Sequence, residues 1–358
     1  MLLAAGVLAA IAIRAAVLAR LHANYDTTSW QIVVDILRRG GDLYRETGRY
    51  NYSPLWAGVL YGLAGLADAL GVSFVRTIAV SLTLVDLVTA AVIWQIGISR
   101  GRTAIAAGWP ALLFFANPIS VLVSGHQVMF DGLSILFLLL ALWAAEQKAS
   151  SPTMTIGFLS LSLLAKHVTW FHPLLFAARR REPQIKWISA LSPYLVFLLS
   201  FLPFWRSWEG IRAHVFGYRG LDEVYGTEPL RFVRWLPHET TTVLFVLAAL
   251  AAVWLLRSVE LGRAGLMLFL VILIFTPGIC PYYFVWPVAL GALYPGVGFA
   301  VYTAVVTAFF IHSPDVLAQE IPHLPGWWGV WWAVVLWLLW ELQSLRRLPL
   351  ESMSEERN

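Results

Sequence analysis

Runs of apolar residues about 20 long recur along this chain, each ended by Pro, Gly or a charge, and a helix of that length spans a bilayer. Of the 358 residues, 59% are hydrophobic and 13% charged, with mean hydropathy +0.71. Soluble domains hold about 45–50% apolar and about 25% charged residues, so the composition excludes a soluble enzyme, a disordered protein and a nucleic-acid binder. The expectation is an all-α polytopic membrane bundle, one integral-membrane domain over 1–358. The single cysteine, Cys280, excludes disulfide frameworks and Cys-based zinc sites.

Near-complete spans are expected at 2–21, 75–98, 103–123, 131–147, 186–204, 240–256, 263–279, 283–296, 297–312 and 326–343, about ten crossings. The first run is interrupted by Arg14 and followed by many others, so it reads as a retained span and not a cleaved signal. The net charge of +4 comes from clusters in short connections: Arg100 and Arg102, Lys148, Arg179 to Arg181 with Lys186, Arg257 with Arg263, and Arg346 with Arg347. The positive-inside rule places these in the cytoplasm, with 344–358 as a cytoplasmic tail. Segments 22–74, 124–130, 205–239, 280–282 and 313–325 are then external. In 205–239, Arg206, Arg212, Arg219, Arg231 and Arg234 balance Glu209, Asp222, Glu223, Glu228 and Glu239.

Two stretches break the count. Counting 54–70 as a crossing would send every later basic cluster outside, so it is expected to be shallow or re-entrant. The stretch 153–178 carries Lys166-His167 in its middle and reads as two short helices meeting at a polar apex, tolerable at membrane depth where it lines a protein cavity.

Several polar residues stand out. After Asp26, Trp30, Val33, Val34 and Leu37 follow helical spacing and Gly40-Gly41 ends the pattern, predicting an amphipathic helix lying flat on the membrane. Asp26 reads equally as that helix's cap or as an acid at the outer mouth of the first span. Asp35 and Asp42 read as solvated charges, and Arg38, Arg39, Arg45 and Arg49 as lipid-surface contacts. Asn117-Pro118 breaks the third span, and Gly125-His126-Gln127 forms a polar turn before Asp131, which reads either as a cap or as the floor of a site with His126. Lys166 costs about 2.5–3.5 kcal/mol to insert, so it is expected to face a cavity and have a partner. His172 reads as a packing residue and Asp86 as interhelical glue. Trp327, Trp328, Trp331 and Trp332 suit an outer interfacial belt, and Trp337 and Trp340 lipid-facing packing.

An acid opposite cations suits transfer from a phosphate-linked donor: the acid accepts the proton of an incoming hydroxyl while cations stabilise the departing phosphate. The order of motifs over most of the first 180 residues resembles the GT-C fold glycosyltransferases that use polyprenyl-phosphate sugars. The segment from Asp26 to NYSPLW is similar to the first external loop of the glycosylphosphatidylinositol mannosyltransferases. NPISVLVSGHQVMFD resembles the second loop of the dolichyl-phosphate-glucose glucosyltransferases, and LLAKHVTWFHPLLF their Lys-containing broken helix. TPGICPYYFVWPV resembles a late aromatic loop of bacterial members.

The resemblance implies Asp26 as general base, Lys166 and His167 on the donor phosphate with Arg212 and Arg219, and His126, Asp131 and Tyr52 in the substrate pocket. It implies an inverting transferase of the bacterial inner membrane acting on the outer face, with a polyprenyl-phosphate sugar and a glycan or glycolipid acceptor as partners, and no cofactor. Thr28 stands where a second acid would complete an Asp-x-Asp pair, which argues against a metal at this loop. The competing expectation is a transporter or lipid-carrier flippase, although no paired repeat is visible.

Overall fold

The computed structural model describes residues 2–147, 151–180, 182–217, 238–313 and 327–346, and among these every regular element is helical. The chain opens with α1 (Leu2–Ala19), then α2 (Tyr25–Arg38), α3 (Leu43–Glu46) and α4 (Pro54–Leu70). The long α5 (Phe74–Ser99) leads to α6 (Ala104–Phe115), α7 (Pro118–Gly125) and α8 (Asp131–Glu146). Next come α9 (Pro152–Ala165), α10 (His172–Ala178), α11 (Pro183–Leu199) and α12 (Trp208–Ile211). The described chain closes with α13 (His238–Leu255), α14 (Leu261–Phe275), α15 (Val288–Leu293), α16 (Val297–His312) and α17 (Trp327–Arg346).

Among the described residues, three helices are long and apolar enough to cross a membrane: Leu2–Ala19, Phe74–Ser99 and Glu239–Ser258. The number rises to five if each of two bent pairs is one span, α6 with α7 at 51° and α11 with Leu202–Phe216 at 59°. The first bend falls at Asn117-Pro118 as expected: Pro118 has no N–H to continue the ladder, and Asn117 Oδ1 accepts from Ile119 N at 3.0 Å to start the new helix. The expected span 283–296 is not one helix. Pro281, Pro287 and Pro295 punctuate it into a 3-10 turn, Pro281–Val285, and the short α15.

The two ends of the bundle differ. At one end the basic connections gather: Arg100 holds Glu146 through two bonds (3.0 and 2.7 Å) and Glu260 at 2.8 Å. There Arg179 donates to the carbonyls of Arg257 and Val259, and Arg263 lies 3.0 Å from Glu341. At the other end the segment 22–53, the turn at 126–130, Leu202–Phe216 and the 276–286 loop meet. Asn24 Nδ2 donates to Gln127 O (2.8 Å) and Ser207 Oγ to Asp42 Oδ2 (2.6 Å).

The apolar face of α2 is amphipathic as predicted, but protein covers it. Trp30, Val33, Val34 and Ile36 are buried against α4, where Trp30 meets Trp56 edge-on at 5.4 Å. Trp56 in turn stacks on Phe130 at 4.0 Å. Asp42 is a cap and not a solvated charge, accepting from Tyr44 N at 3.0 Å, while Arg38 pairs with Asp68 and Arg39 with Glu46. Trp337 also departs from expectation. It is buried, not lipid-facing, because Gly291 and Gly298 leave a slot for its ring; a Cβ on Gly298 would stand 2.2 Å from it.

Candidate functional site

The expected break at Lys166-His167 is present. α9 ends at Ala165, Lys166 is extended (φ −160°, ψ 138°), and a 3-10 turn, His167–Thr169, precedes α10. Ending a helix inside a bundle exposes carbonyls that need donors. Hydroxyls meet the need: Ser53 Oγ donates to Leu164 O (2.5 Å), while Ser134 Oγ lies 2.9 Å from Ser162 O and 3.0 Å from Lys166 O. Ser162 Oγ bonds back to Ser134 O at 2.8 Å, and Thr169 Oγ1 lies 2.8 Å from Ser162 Oγ. Ser53 also caps α4 through Leu55 N, so NYSPLW is physically tied to the broken helix.

Lys166 is only 4% exposed. Its Nζ donates to Asp131 Oδ2 at 2.6 Å, and the other Asp131 oxygen accepts from Trp286 Nε1 at 2.6 Å. Asp131 is therefore not the cap of α8, whose cap position is Phe130, nor does it border the cavity described next. It stands behind the wall as the counter-ion of Lys166. Rings of Tyr282, Phe130, Tyr52 and Tyr283 surround the ammonium at 4.5, 4.9, 5.4 and 5.9 Å, where their negative faces favour the cation. An ammonium has three N–H donors. Among the described residues one is taken by Asp131, leaving two directed at rings and the cavity.

That cavity measures about 650 Å³. Asn51, Tyr52, Lys166, His167, Tyr282 and Tyr283 supply one polar side. From α13 come Glu239, Thr242, Phe245 and Val246, and a rise of about 1.5 Å per residue carries this face from acid to hydrocarbon within about 10 Å. The lining thus combines polar and apolar residues.

The remaining sequence-predicted residues distribute unevenly. His167 is half-buried and lines the cavity, as does Tyr52. Asp26 does not cap α2, because Asn24 does, accepting from Thr27 N at 2.9 Å in a reciprocal capping box. Asp26 is half-buried and does not line the cavity. Its charge is felt at Cys280 and Tyr282. Burial pushes the Cys280 thiol up to about 12; hydrogen bonding to Tyr282 lowers it, the Asp26 charge raises it and Lys166 lowers it. The charges of Asp26 and Lys166 are thus both felt at Cys280. His126 lies apart beside His22, and burial first and His22 second hold its imidazole below the usual range. Its turn is strained: Val128, β-branched and buried, has φ 59°. Arg212 is exposed and outside the cavity lining, and Arg219 lies outside the described residues. His172 packs on Phe269 at 4.3 Å, as expected. Among the described residues no cluster of metal-ligating side chains is present.

Sequence reasoning passed over Trp286, Asn51 and Glu239. Trp286 and Asn51 sit inside motifs already singled out, but nothing in a linear sequence marks an indole as the partner of an acid 155 positions away. Comparison of the chain with protein-family models, curated proteins and solved structures finds no match, so its chemistry is read from geometry.

Proposed function

We propose that this chain is a membrane glycosyltransferase of the GT-C type, moving a hexose or pentose from a polyprenyl-phosphate carrier to an acceptor hydroxyl on the extracytoplasmic face, with inversion. In this reading the shorter apolar helices complete about ten crossings, the bundle sits in a bacterial inner membrane, and a glycan or glycolipid is the acceptor. The observation that carries it is the Lys166 ammonium, already balanced by Asp131 yet holding, among the described residues, two uncommitted N–H donors beside a cavity lined by both polar and apolar residues. A phosphate with a sugar on one side and a hydrocarbon chain on the other matches that lining.

The donor enters from the cavity side, with its phosphate at Lys166 and His167. The acceptor approaches from the Asp26 side of the Tyr282 wall. Asp26 takes the hydroxyl proton as the acceptor oxygen bonds to the anomeric carbon; the bond from that carbon to the phosphate oxygen breaks, and its electron pair leaves on the polyprenyl phosphate. The leaving phosphate needs no proton, so one base suffices.

The test is incubation of the purified protein in nanodiscs with radiolabelled polyprenyl-phosphate hexose and an extract of envelope glycans. The wild type releases free polyprenyl phosphate and labels glycan, and Asp26→Asn lowers this by about 10²–10⁴-fold, the usual range for a general base, while donor binding persists. Donor moved intact across vesicles with no phosphate released, or full turnover in Asp26→Asn, would overturn the reading.

A further inference from the structure

The cavity holds a carboxylate that the proposed chemistry does not use. Among the described residues lining it, Glu239 is the only acid. It occupies the first turn of α13 and is exposed, and among the described residues no hydrogen bond or ion pair engages it. Thr242, one turn further along the same lining face, adds a hydroxyl, and only beyond it does the face become apolar at Phe245 and Val246. Lys166 does not cancel the Glu239 charge, because Asp131 already balances that ammonium at 2.6 Å. The cavity therefore has two polar stations of different kind: N–H donors at Lys166, and an acceptor pair at Glu239 whose negative charge no cation among the described residues pairs.

We infer that Glu239 is a specificity-determining residue that receives the hydroxyls of the transferred sugar and restricts the donor to uncharged sugars. This rests on the glycosyltransferase reading for the identity of the ligand. A carboxylate accepts two hydrogen bonds side by side, which suits the vicinal hydroxyls of a hexose or pentose. The same carboxylate repels a uronic acid or a phosphorylated sugar, and like charges meeting at a binding surface are strongly unfavourable.

The test uses hexyl β-D-glucoside and hexyl β-D-glucuronide, which match in size and tail but differ by one carboxylate, with binding to the nanodisc-embedded protein read by scintillation proximity. The wild type is expected to prefer the glucoside by at least about tenfold. Glu239→Gln shrinks that preference roughly tenfold, and Glu239→Asp restores most of it. Equal binding of the two probes by the wild type, no binding of either, or a preference unchanged in Glu239→Gln would overturn the inference. Transfer from polyprenyl-phosphate glucose is measured in parallel. A preference that responds to Glu239 in a protein that transfers no sugar sinks the enzyme reading and keeps the charge filter, whereas transfer with an unresponsive preference does the reverse.

Discussion

Among the described residues two ion pairs have both partners buried, and they are built to opposite specifications. Arg14 of α1 meets Asp86 of α5 at 2.8 Å, and its other donors reach Phe115 O, Ser124 Oγ and Ser120 Oγ at 3.0, 3.1 and 2.9 Å. Its guanidinium also lies 4.4 Å over the Phe115 ring. Ser120 and Ser124 donate in turn to Asp86 at 3.0 and 2.6 Å. Lys166, by contrast, has a single carboxylate, a surround of aromatic rings and an opening to about 650 Å³ of space. The first pair commits four of the five Arg14 N–H donors and fastens α1, α5 and α7 together. The second is held in place but unsaturated, which is what a group waiting for an anionic ligand requires. Burial and charge alone do not distinguish the two pairs; the count of unused donors does.

The comparison is sharpest when each pair is broken. Arg14→Met or Lys166→Met leaves a buried carboxylate alone, and each is expected to destabilise the protein by about 3–5 kcal/mol, read as a fall in thermal midpoint in nanodiscs. Removing both charges separates the two sites. Arg14→Met with Asp86→Leu regains most of the stability and keeps sugar transfer. Lys166→Met with Asp131→Leu also regains stability but loses transfer by about 10²-fold or more, the size of one missing anion-stabilising donor. Transfer surviving the second double variant would remove the functional half of the contrast.

Single hydroxyls sharpen it further. Ser53→Ala uncaps α4 and strands Leu164 O at the break, costing about 1–2 kcal/mol and slowing transfer as the Lys166 turn loosens. Ser120→Ala costs about 1 kcal/mol by removing one donor to Asp86, with transfer unchanged. The smallest effect concerns His126, remote from both pairs. Folding favours its neutral form, so this contribution to stability is complete above its unfolded pKa of about 6.5 and is lost as the pH falls through the lower folded value. Thermal midpoints measured between pH 7.5 and 5 should decline less in His126→Asn, and His22→Ala should recover only part of the difference because burial is the larger cause.

The helical architecture was legible because its signals are local. Apolar runs give α1, α5 and α13, Asn117-Pro118 gives the bend, and a lysine stranded between apolar stretches gives the break at 166. Asp86 was legible as glue, although its partner Arg14 was read only as an interruption of a span. Partners across long sequence separations were not legible. Asp131 balances Lys166 from 35 positions away, and as easily looks like a helix cap because Asp serves both purposes at a helix start. The cap at Asp26 likewise went to Asn24, two residues earlier, a shift that spacing cannot resolve. Glu239 was hidden in a loop whose charges sum to zero; only the fold shows that this acid lines a cavity. Trp337 shows the same limit for apolar residues, since the slot made by Gly291 and Gly298 exists only once α15, α16 and α17 have packed.

The central claim is that the cavity lined by Lys166, with the Asp26 charge reaching its Tyr282 side, receives a polyprenyl-phosphate sugar. It is tested most directly by cross-linking a photoreactive polyprenyl-phosphate-hexose analogue to the protein in nanodiscs and mapping the labelled peptides by mass spectrometry. The account predicts labelling of residues 166–171, 239–246 and 276–286, suppressed by unlabelled donor. Labelling confined to exposed apolar positions such as Leu84, Leu195 and Leu247, and insensitive to competing donor, would contradict it.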